Sequence, residues 1–104
     1  MKKESTELLG MFGVDSGQVM IGDPCYLDGF NNDDYQEDGV EHEYSYSGSC
    51  ATTSTKENGG ELFLNSNSGS PVSVVSSTGL GDGIYPVYAI KEEGRIKELI
   101  IKFF

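Results

Sequence analysis

The sequence has few of the residues from which metal sites and catalytic pairs are built. One histidine, His42, and two cysteines, Cys25 and Cys50, are scattered along the chain without C-x-x-C or H-x-x-x-H spacing, so no zinc site is expected. A Cys–His nucleophile pair has no local signature here, and no G-x-S-x-G motif is present for a serine nucleophile. We therefore predict no metal and no cofactor, and an enzyme of unknown class ranks last among the functional hypotheses.

Basic residues and long apolar runs are also scarce. The chain has seven Lys and Arg and seventeen Asp and Glu, which gives a formal charge of -10. A field of that sign repels phosphate backbones, which argues against direct binding of long nucleic acid. No segment approaches the ~18 apolar residues of a membrane span, and the N-terminus is polar where a signal peptide is apolar. We expect a cytoplasmic protein with both thiols free.

The length and the glycine content indicate the fold class. A chain of 104 residues suits a single domain over 1–104, and its 14 glycines are about twice the usual ~7% share, which favours many tight turns. Short apolar stretches between turn residues predict an all-β fold, a small antiparallel barrel or sandwich of six or seven strands that ends in a β-hairpin.

Two hairpins, with further short strands between them, are predicted along the chain. The apolar runs on either side of Val14-Asp15-Ser16-Gly17 predict a first hairpin, which Pro24 ends at Asp23 because proline lacks an amide proton. We expect Asp23 to cap this strand end or receive hydrogen bonds there, and Cys25 and Tyr26 to turn inward. The stretch 44–57 mixes tyrosines with small hydroxyl residues, a composition that favours a strand over a helix.

The last hairpin is predicted to pair 84–90 with 95–101, with Gly94 taking the positive φ of the tight turn. Pro86 should face an edge or lie at a bulge. A helix over 90–104 is the alternative, and Gly94 in its middle argues against it. The predicted core consists of Val19, Ile21, Val72, Val74, Tyr85, Val87, Ile96, Leu99 and Ile101.

An acidic loop is predicted over 28–43, which contains no Lys or Arg. Within it, 34–45 partly follows a calcium-binding loop, with Asp34 and Asp38 at ligand positions. Ser45, however, stands where a bidentate Glu is needed. Weak calcium binding and a simple solvated loop both remain open.

Two Gly-Asp segments and a hydroxyl-rich stretch form the candidate ligand site. Tyrosine rings can stack on bases, hydroxyls and glycine amides can hold phosphates, and aspartates can accept hydrogen bonds from a base edge. The alternative is that these residues only build turns and strands. The candidates are Asp23, Cys25, Tyr26, Tyr46, Ser49, Thr52, Thr53, Lys56, Gly81, Asp82 and Gly83.

Three segments stand out in the chain: 12-FGVDSGQVMIGDPCYL-27, 46-YSGSCATTS-54 and 81-GDGIYPVYAIKEEGRIKELIIKF-103. They resemble a family of small proteins of unknown function from bacteria and their phages. The shared segments are Gly-Asp-Pro-Cys-Tyr, at 22–26, and Gly-Asp-Gly-x-Tyr-Pro-Val, at 81–87. The resemblance implies a compact β domain and assigns no activity or catalytic residue. A phage protein of this kind would act in the host cytoplasm.

Two functional hypotheses lead. The first is a small-ligand-binding protein of a phage or bacterium, for example one that sequesters a nucleotide-like signal without catalysis. The second is an acidic protein-binding inhibitor, in which the loop over 28–43 imitates a phosphate backbone and occupies a basic partner. The oligomeric state is left open.

Overall fold

A computed structural model describes residues 3–32, 39–64 and 69–104. Six β-strands, one α-helix and one 3-10 helix lie in these segments, and the strands form two open antiparallel sheets of three strands each. The predicted β-rich antiparallel class is confirmed, and neither sheet closes into a barrel. The chain divides into two compact units. Unit 1 comprises Met1–Gly17 and Thr78–Phe104, and unit 2 comprises Gln18–Ser77.

Unit 1 is built on a sheet with the order β1-β5-β6. Strand β1 spans Glu4–Val14, β5 spans Gly83–Glu92 and β6 spans Arg95–Ile101. Strands β5 and β6 form the predicted C-terminal hairpin, which is confirmed, but the residues of β5 that pair with β6 are 87–92 and not 84–90. Its turn has positive φ at both Glu93 (52°) and Gly94 (81°), as a two-residue type I′ turn requires.

Pro86 lies in the central strand of this sheet, where a ladder donor would normally be needed. The Pro86 carbonyl accepts from the Lys102 amide at 3.4 Å, so the missing N–H is on the side that faces β6. The paired part of β6 ends at Ile101, opposite Val87. The proline is therefore placed beyond the last regular pair of that ladder, where the loss of one donor costs little.

Unit 2 is built on a sheet with the order β2-β4-β3 and a helix. Strand β2 spans Gln18–Gly22, β3 spans Gly59–Leu62 and β4 spans Ser73–Ser77. Because β1 and β2 belong to different sheets, the predicted first hairpin is wrong. The turn at Asp15–Gly17 instead carries the chain from one unit into the other.

A short α-helix, α1 (Tyr46–Thr53), replaces the strand predicted over 44–57. Ser45 caps it, its Oγ accepting from the Gly48 amide at 2.8 Å. The Thr52 hydroxyl donates to the carbonyl of Gly48 and the Thr53 hydroxyl to that of Ser49. The small hydroxyl residues that argued against a helix are thus accommodated by bonds to carbonyls one turn earlier.

The buried residues differ in part from the predicted core. In unit 2, Tyr44, Leu62 and Val75 are buried together, with Met20, Phe30 and Val72 packed against them. In unit 1 the buried apolar residues include Val14, Tyr85, Pro86 and Ala89. Of the predicted core, Tyr85 is buried, and four residues are half-buried: Val19, Val72, Val87 and Ile101.

The prediction is wrong for the four remaining core residues, which are exposed: Ile21, Val74, Ile96 and Leu99. Val74 and Ile21 are cross-strand partners on the face of the unit 2 sheet opposite to Val75. Ile96 and Leu99 belong to β6, an edge strand with a neighbour on one side only. Edge position and the outer face of a sheet both reduce the number of neighbours that can cover a side chain.

Candidate functional site

The Gly-Asp-Pro-Cys-Tyr segment forms the end of β2 and the start of a 3-10 helix over Pro24–Gly29. Asp23 is its N-cap, as predicted for a strand end: the Asp23 Oδ1 accepts from the Cys25 amide at 2.9 Å. Pro24 fits the first helical position, where the missing N–H has no partner to lose. The expectation that Cys25 and Tyr26 turn inward is wrong, because both side chains are exposed.

The chemistry of Cys25 follows from this cap. The pKa of its thiol is raised, first by partial desolvation and then by a hydrogen bond to the Asp23 carboxylate and by the charge of that carboxylate. A raised pKa keeps the thiol protonated at neutral pH, and the thiolate is the reactive form. Cys25 is therefore an accessible but unactivated thiol, and both cysteines of the structure are free.

Three of the candidate hydroxyls on α1 are occupied by internal partners. The Ser49 hydroxyl donates to Gln18 Oε1, and the Thr53 hydroxyl lies 3.5 Å from the same atom. Thr52 is fully buried, and its Oγ1 also accepts from the His42 amide at 2.8 Å. These groups fix α1 to its neighbours and leave little capacity for a ligand.

Gln18 is a contact residue that sequence patterns did not single out. Its side chain reaches from β2 to α1, where Oε1 accepts from Ser49 and Nε2 donates to Cys50 Sγ at 3.3 Å. An amide with both a donor and an acceptor suits this bridge. The signal could not have been found locally, because these residues are more than thirty positions apart.

His42 is held in an unusual backbone conformation, with φ at 70°. Its amide is bonded to Thr52, and its Nδ1 lies 2.8 Å from the Glu61 carbonyl oxygen. Since a carbonyl oxygen only accepts, Nδ1 carries the proton in the neutral ring. The first bond ties the His42 backbone to α1, and the second ties its imidazole to β3.

The other candidates of unit 2 are Tyr46, the first residue of α1, and Lys56, which follows the helix. Tyr46 is half-buried and Lys56 is exposed. Lys56 is the single Lys or Arg of Gln18–Ser77, so unit 2 offers one cationic side chain to an anionic ligand.

The Gly-Asp-Gly segment belongs to unit 1, at the start of β5. Gly81 has a φ of 86°, its amide donates to Thr78 Oγ1 at 2.9 Å, and its carbonyl accepts from the hydroxyls of Thr78 and Tyr85. These contacts tie the turn to Thr78 and to the strand. Asp82 and Gly83 are exposed beside it.

The predicted site residues thus fall into two groups. Eight lie in unit 2 and three, Gly81, Asp82 and Gly83, lie in unit 1. Within unit 2 the structure brings Asp23, Cys25 and Tyr26 together on the 3-10 helix, and Tyr46, Ser49, Thr52 and Thr53 on α1. Tyr26 is 41% exposed, which makes it the aromatic residue of the set most open to solvent.

Ion pairs are unevenly distributed among the described residues. Lys91 pairs with Glu7, and Lys97 pairs with Glu4 and with Glu92, all within unit 1. The two glutamates raise the pKa of Lys97 by accepting hydrogen bonds from its ammonium group. No comparable pair occurs in the part of unit 2 that the structure describes.

The described residues contain neither a cluster of metal-ligating side chains nor a helix that could span a membrane. Over 3–32, 39–64 and 69–104, no three His, Cys, Asp or Glu side chains come together as metal ligands would. The first three ligand positions of the calcium-like pattern, Asp34, Gln36 and Asp38, lie outside the described residues, as does the middle of the acidic loop. The described helices are all too short to cross a bilayer.

Comparison with known proteins identifies the family. A family described as "Protein of unknown function (DUF4241)" matches residues 3–101, nearly the whole chain. The chain therefore belongs to this family. No curated protein and no solved structure matches it.

Proposed function

We propose that this member of the DUF4241 family is a non-catalytic binding module whose unit 2 engages a cationic protein. The observation that carries the proposal is the division of charge between the units. Residues 18–77 contain ten Asp and Glu and one Lys, a formal charge of -9. The two segments of unit 1 contain seven acids and six bases, a formal charge of -1.

The carboxylates of unit 2 are available to a partner. Those in the described residues are all exposed, and none is neutralised there by a described lysine or arginine: Asp23, Asp28, Glu41, Glu43, Glu57 and Glu61. In unit 1, by contrast, two lysines are committed to three glutamates. Like charges concentrated on one unit disfavour its compact state, so their presence is better explained by a role in association than by stability.

Electrostatic association of this kind has a defined salt dependence. The Debye length is ~30 Å at ~0.01 M salt and ~10 Å at ~0.1 M, so the field of unit 2 reaches a basic partner mainly at low ionic strength. Complementary charge acts chiefly through the association rate. Binding of a fluorescent oligolysine, measured by anisotropy, should therefore weaken steeply over this range of salt.

A pair of matched variants locates the effect. Asp28→Asn with Glu57→Gln removes two exposed charges from unit 2, whereas Asp15→Asn with Glu98→Gln removes two exposed charges from unit 1. We expect the first variant to lower oligolysine affinity severalfold and the second to lower it much less. Equal losses, or no binding of oligolysine by the natural chain at low salt, would refute the proposal.

Binding of a small polar ligand, such as a sequestered nucleotide-like signal, is the second candidate. The exposed ring of Tyr26 beside Asp23, with Lys56 elsewhere in unit 2, supports it. The charge of unit 2 and the internal bonds of Ser49 and Thr52 weigh against a phosphate-bearing ligand. A thermal-shift screen with nucleotides and sugars tests it, because a ligand at a hundred times its Kd stabilises by ~2.7 kcal/mol.

A further inference from the structure

The outer face of the unit 2 sheet carries a row of three side chains, one from each strand. In the sheet register Ile21 of β2 is opposite Val74 of β4, and Val74 is opposite Glu61 of β3. Residues opposite one another point to the same side of a sheet, so the three form a continuous row. We call Ile21, Val74 and Glu61 the outer row.

The two aliphatic members of the outer row are unusually open for residues of a regular sheet. Ile21 is 55% exposed and Val74 is 48% exposed, while their neighbour Val75 on the inner face is 1% exposed. Single exposed aliphatic residues are common on protein surfaces and need no explanation. Here, however, two of them are in direct cross-strand register, and an exposed carboxylate completes the row.

The charge of the surroundings restricts what can bind to this row. A second copy of the chain would bring two units of formal charge -9 together, which costs free energy unless salt screens it. A cationic segment meets the opposite situation, because the field attracts it and Glu61 offers a carboxylate next to the apolar pair. Apolar contacts at the centre and charges at the rim are the usual division of roles in an interface.

We propose that the outer row docks an amphipathic basic segment of the partner protein, with aliphatic side chains over Ile21 and Val74 and a Lys or Arg on Glu61. This inference rests on the proposed function above and adds to it the recognition of aliphatic groups. The acidic unit brings the segment to the surface, and the outer row distinguishes an amphipathic sequence from one that is merely basic.

Two synthetic peptides of equal length and equal charge test the proposal, one alternating Lys and Leu and the other alternating Lys and Ser. The full chain should bind the Lys-Leu peptide about tenfold more tightly than the Lys-Ser peptide. This is the effect expected when apolar surface equal to about two additional methylene groups is buried. In the double variant Ile21→Thr and Val74→Thr this preference should disappear. Affinity for the Lys-Ser peptide should stay unchanged.

The substitutions are chosen to leave the sheet intact. Threonine is β-branched like isoleucine and valine, so it retains their preference for strands. The control is Ile84→Thr with Ile96→Thr in unit 1, whose side chains are similarly exposed. Circular dichroism verifies that both double variants are folded. Glu61→Gln should weaken binding of both peptides and reduce the dependence of affinity on salt.

The outcomes separate this inference from the proposed function. If both peptides bind equally well, or if the control variant abolishes the preference as the outer-row variant does, the docking surface is wrong while the acidic module stands. If neither peptide binds at low salt, both proposals fail. A dimer in sedimentation velocity that dissociates on Ile21→Thr with Val74→Thr would show that a second copy occupies the row, which also overturns the inference.

Discussion

Two adjacent valines in β4 provide the sharpest test of the register of the unit 2 sheet. Val75 is buried against Tyr44 and Leu62, and Val74 points to the opposite face. We predict that Val75→Ala destabilises the protein strongly and that Val74→Ala does so weakly. Because both changes remove the same two methyl groups from neighbouring positions of one strand, they lose the same β-propensity, and their difference measures burial.

The magnitudes follow from the exposures. Val75 is 1% exposed, so its truncation loses the transfer free energy of about two methylene equivalents, ~1.6 kcal/mol, and leaves a cavity that raises the cost to about 2–3 kcal/mol. Val74 is 48% exposed, which roughly halves the transfer contribution and leaves no enclosed cavity. Its truncation should cost less than about 1 kcal/mol.

Urea unfolding followed by far-UV circular dichroism and by tyrosine fluorescence measures the difference. With slopes of ~1–3 kcal/mol per M, Val75→Ala should lower the midpoint by on the order of 1 to 2 M relative to the natural chain, provided that the slopes agree among variants. If Val74→Ala instead lowers the midpoint more than Val75→Ala does, the strand is displaced by one residue and the inner and outer faces are exchanged. The outer row would then be a part of the core.

Two further predictions concern the turn of the C-terminal hairpin and the thiol of Cys25. Glu93 and Gly94 both have positive φ, so Glu93→Asn should stabilise the hairpin by a few tenths of a kcal/mol and Gly94→Ala should destabilise it by ~1 kcal/mol. Thermal unfolding measures both changes. A stabilising Gly94→Ala would contradict the turn type. Asp23→Asn keeps an N-cap but removes a charge that raises the pKa of Cys25. In a Cys50→Ser background, alkylation of Cys25 by iodoacetamide should therefore become faster at neutral pH, and the pH profile of the reaction should move to lower pH. An unchanged profile would leave desolvation as the whole cause of the raised pKa.

The C-terminal hairpin could be predicted from the sequence because its signals are local. Gly94 lies between two apolar-rich segments, 84-IYPVYAI-90 and 95-RIKELII-101, and a tight turn needs a residue that adopts positive φ without strain. The cap at Asp23 was predictable for a similar reason, because Asp followed directly by Pro is a local signal that a strand ends. Both features depend on backbone chemistry that does not require knowledge of distant contacts.

The orientation of β4 was not predictable in the same way, because polar residues occupy part of its inner face. Ser73 and Val75 point inward, whereas the alternation of valines in 72-VSVV-75 indicates Val72 and Val74. The Ser73 hydroxyl is buried without a hydrogen-bond partner among the described residues, which is an unfavourable feature that no pattern rule would anticipate.

Helix α1 was missed because its residues individually prefer strands and turns. Its formation depends on the Ser45 cap and on close contact of Gly48 with the carbonyl of Glu43, where a Cβ would clash. The Ser45 hydroxyl also donates to the Glu43 carboxylate at 3.0 Å. These local capping contacts act together with two bonds from α1 to more distant residues, one from Ser49 to Gln18 and one from the His42 amide to Thr52, and together they override a weak intrinsic preference. The more distant bonds also occupy hydroxyls of the candidate ligand site.

The division of charge gives stability and association opposite dependences on salt. Unit 2 holds like charges together, so added salt should relieve their repulsion and stabilise the unit. The exposed ion pairs of Lys91 and Lys97 in unit 1 contribute little to stability, so their screening by salt should not offset this gain. Binding of a cationic partner draws on the same field and should weaken as that field is screened. A salt titration that raises the melting temperature while it lowers oligolysine affinity is therefore expected. If the melting temperature fell instead, the exposed carboxylates of unit 2 would stabilise the fold, and their mutual repulsion could not be used as an argument for a role in association.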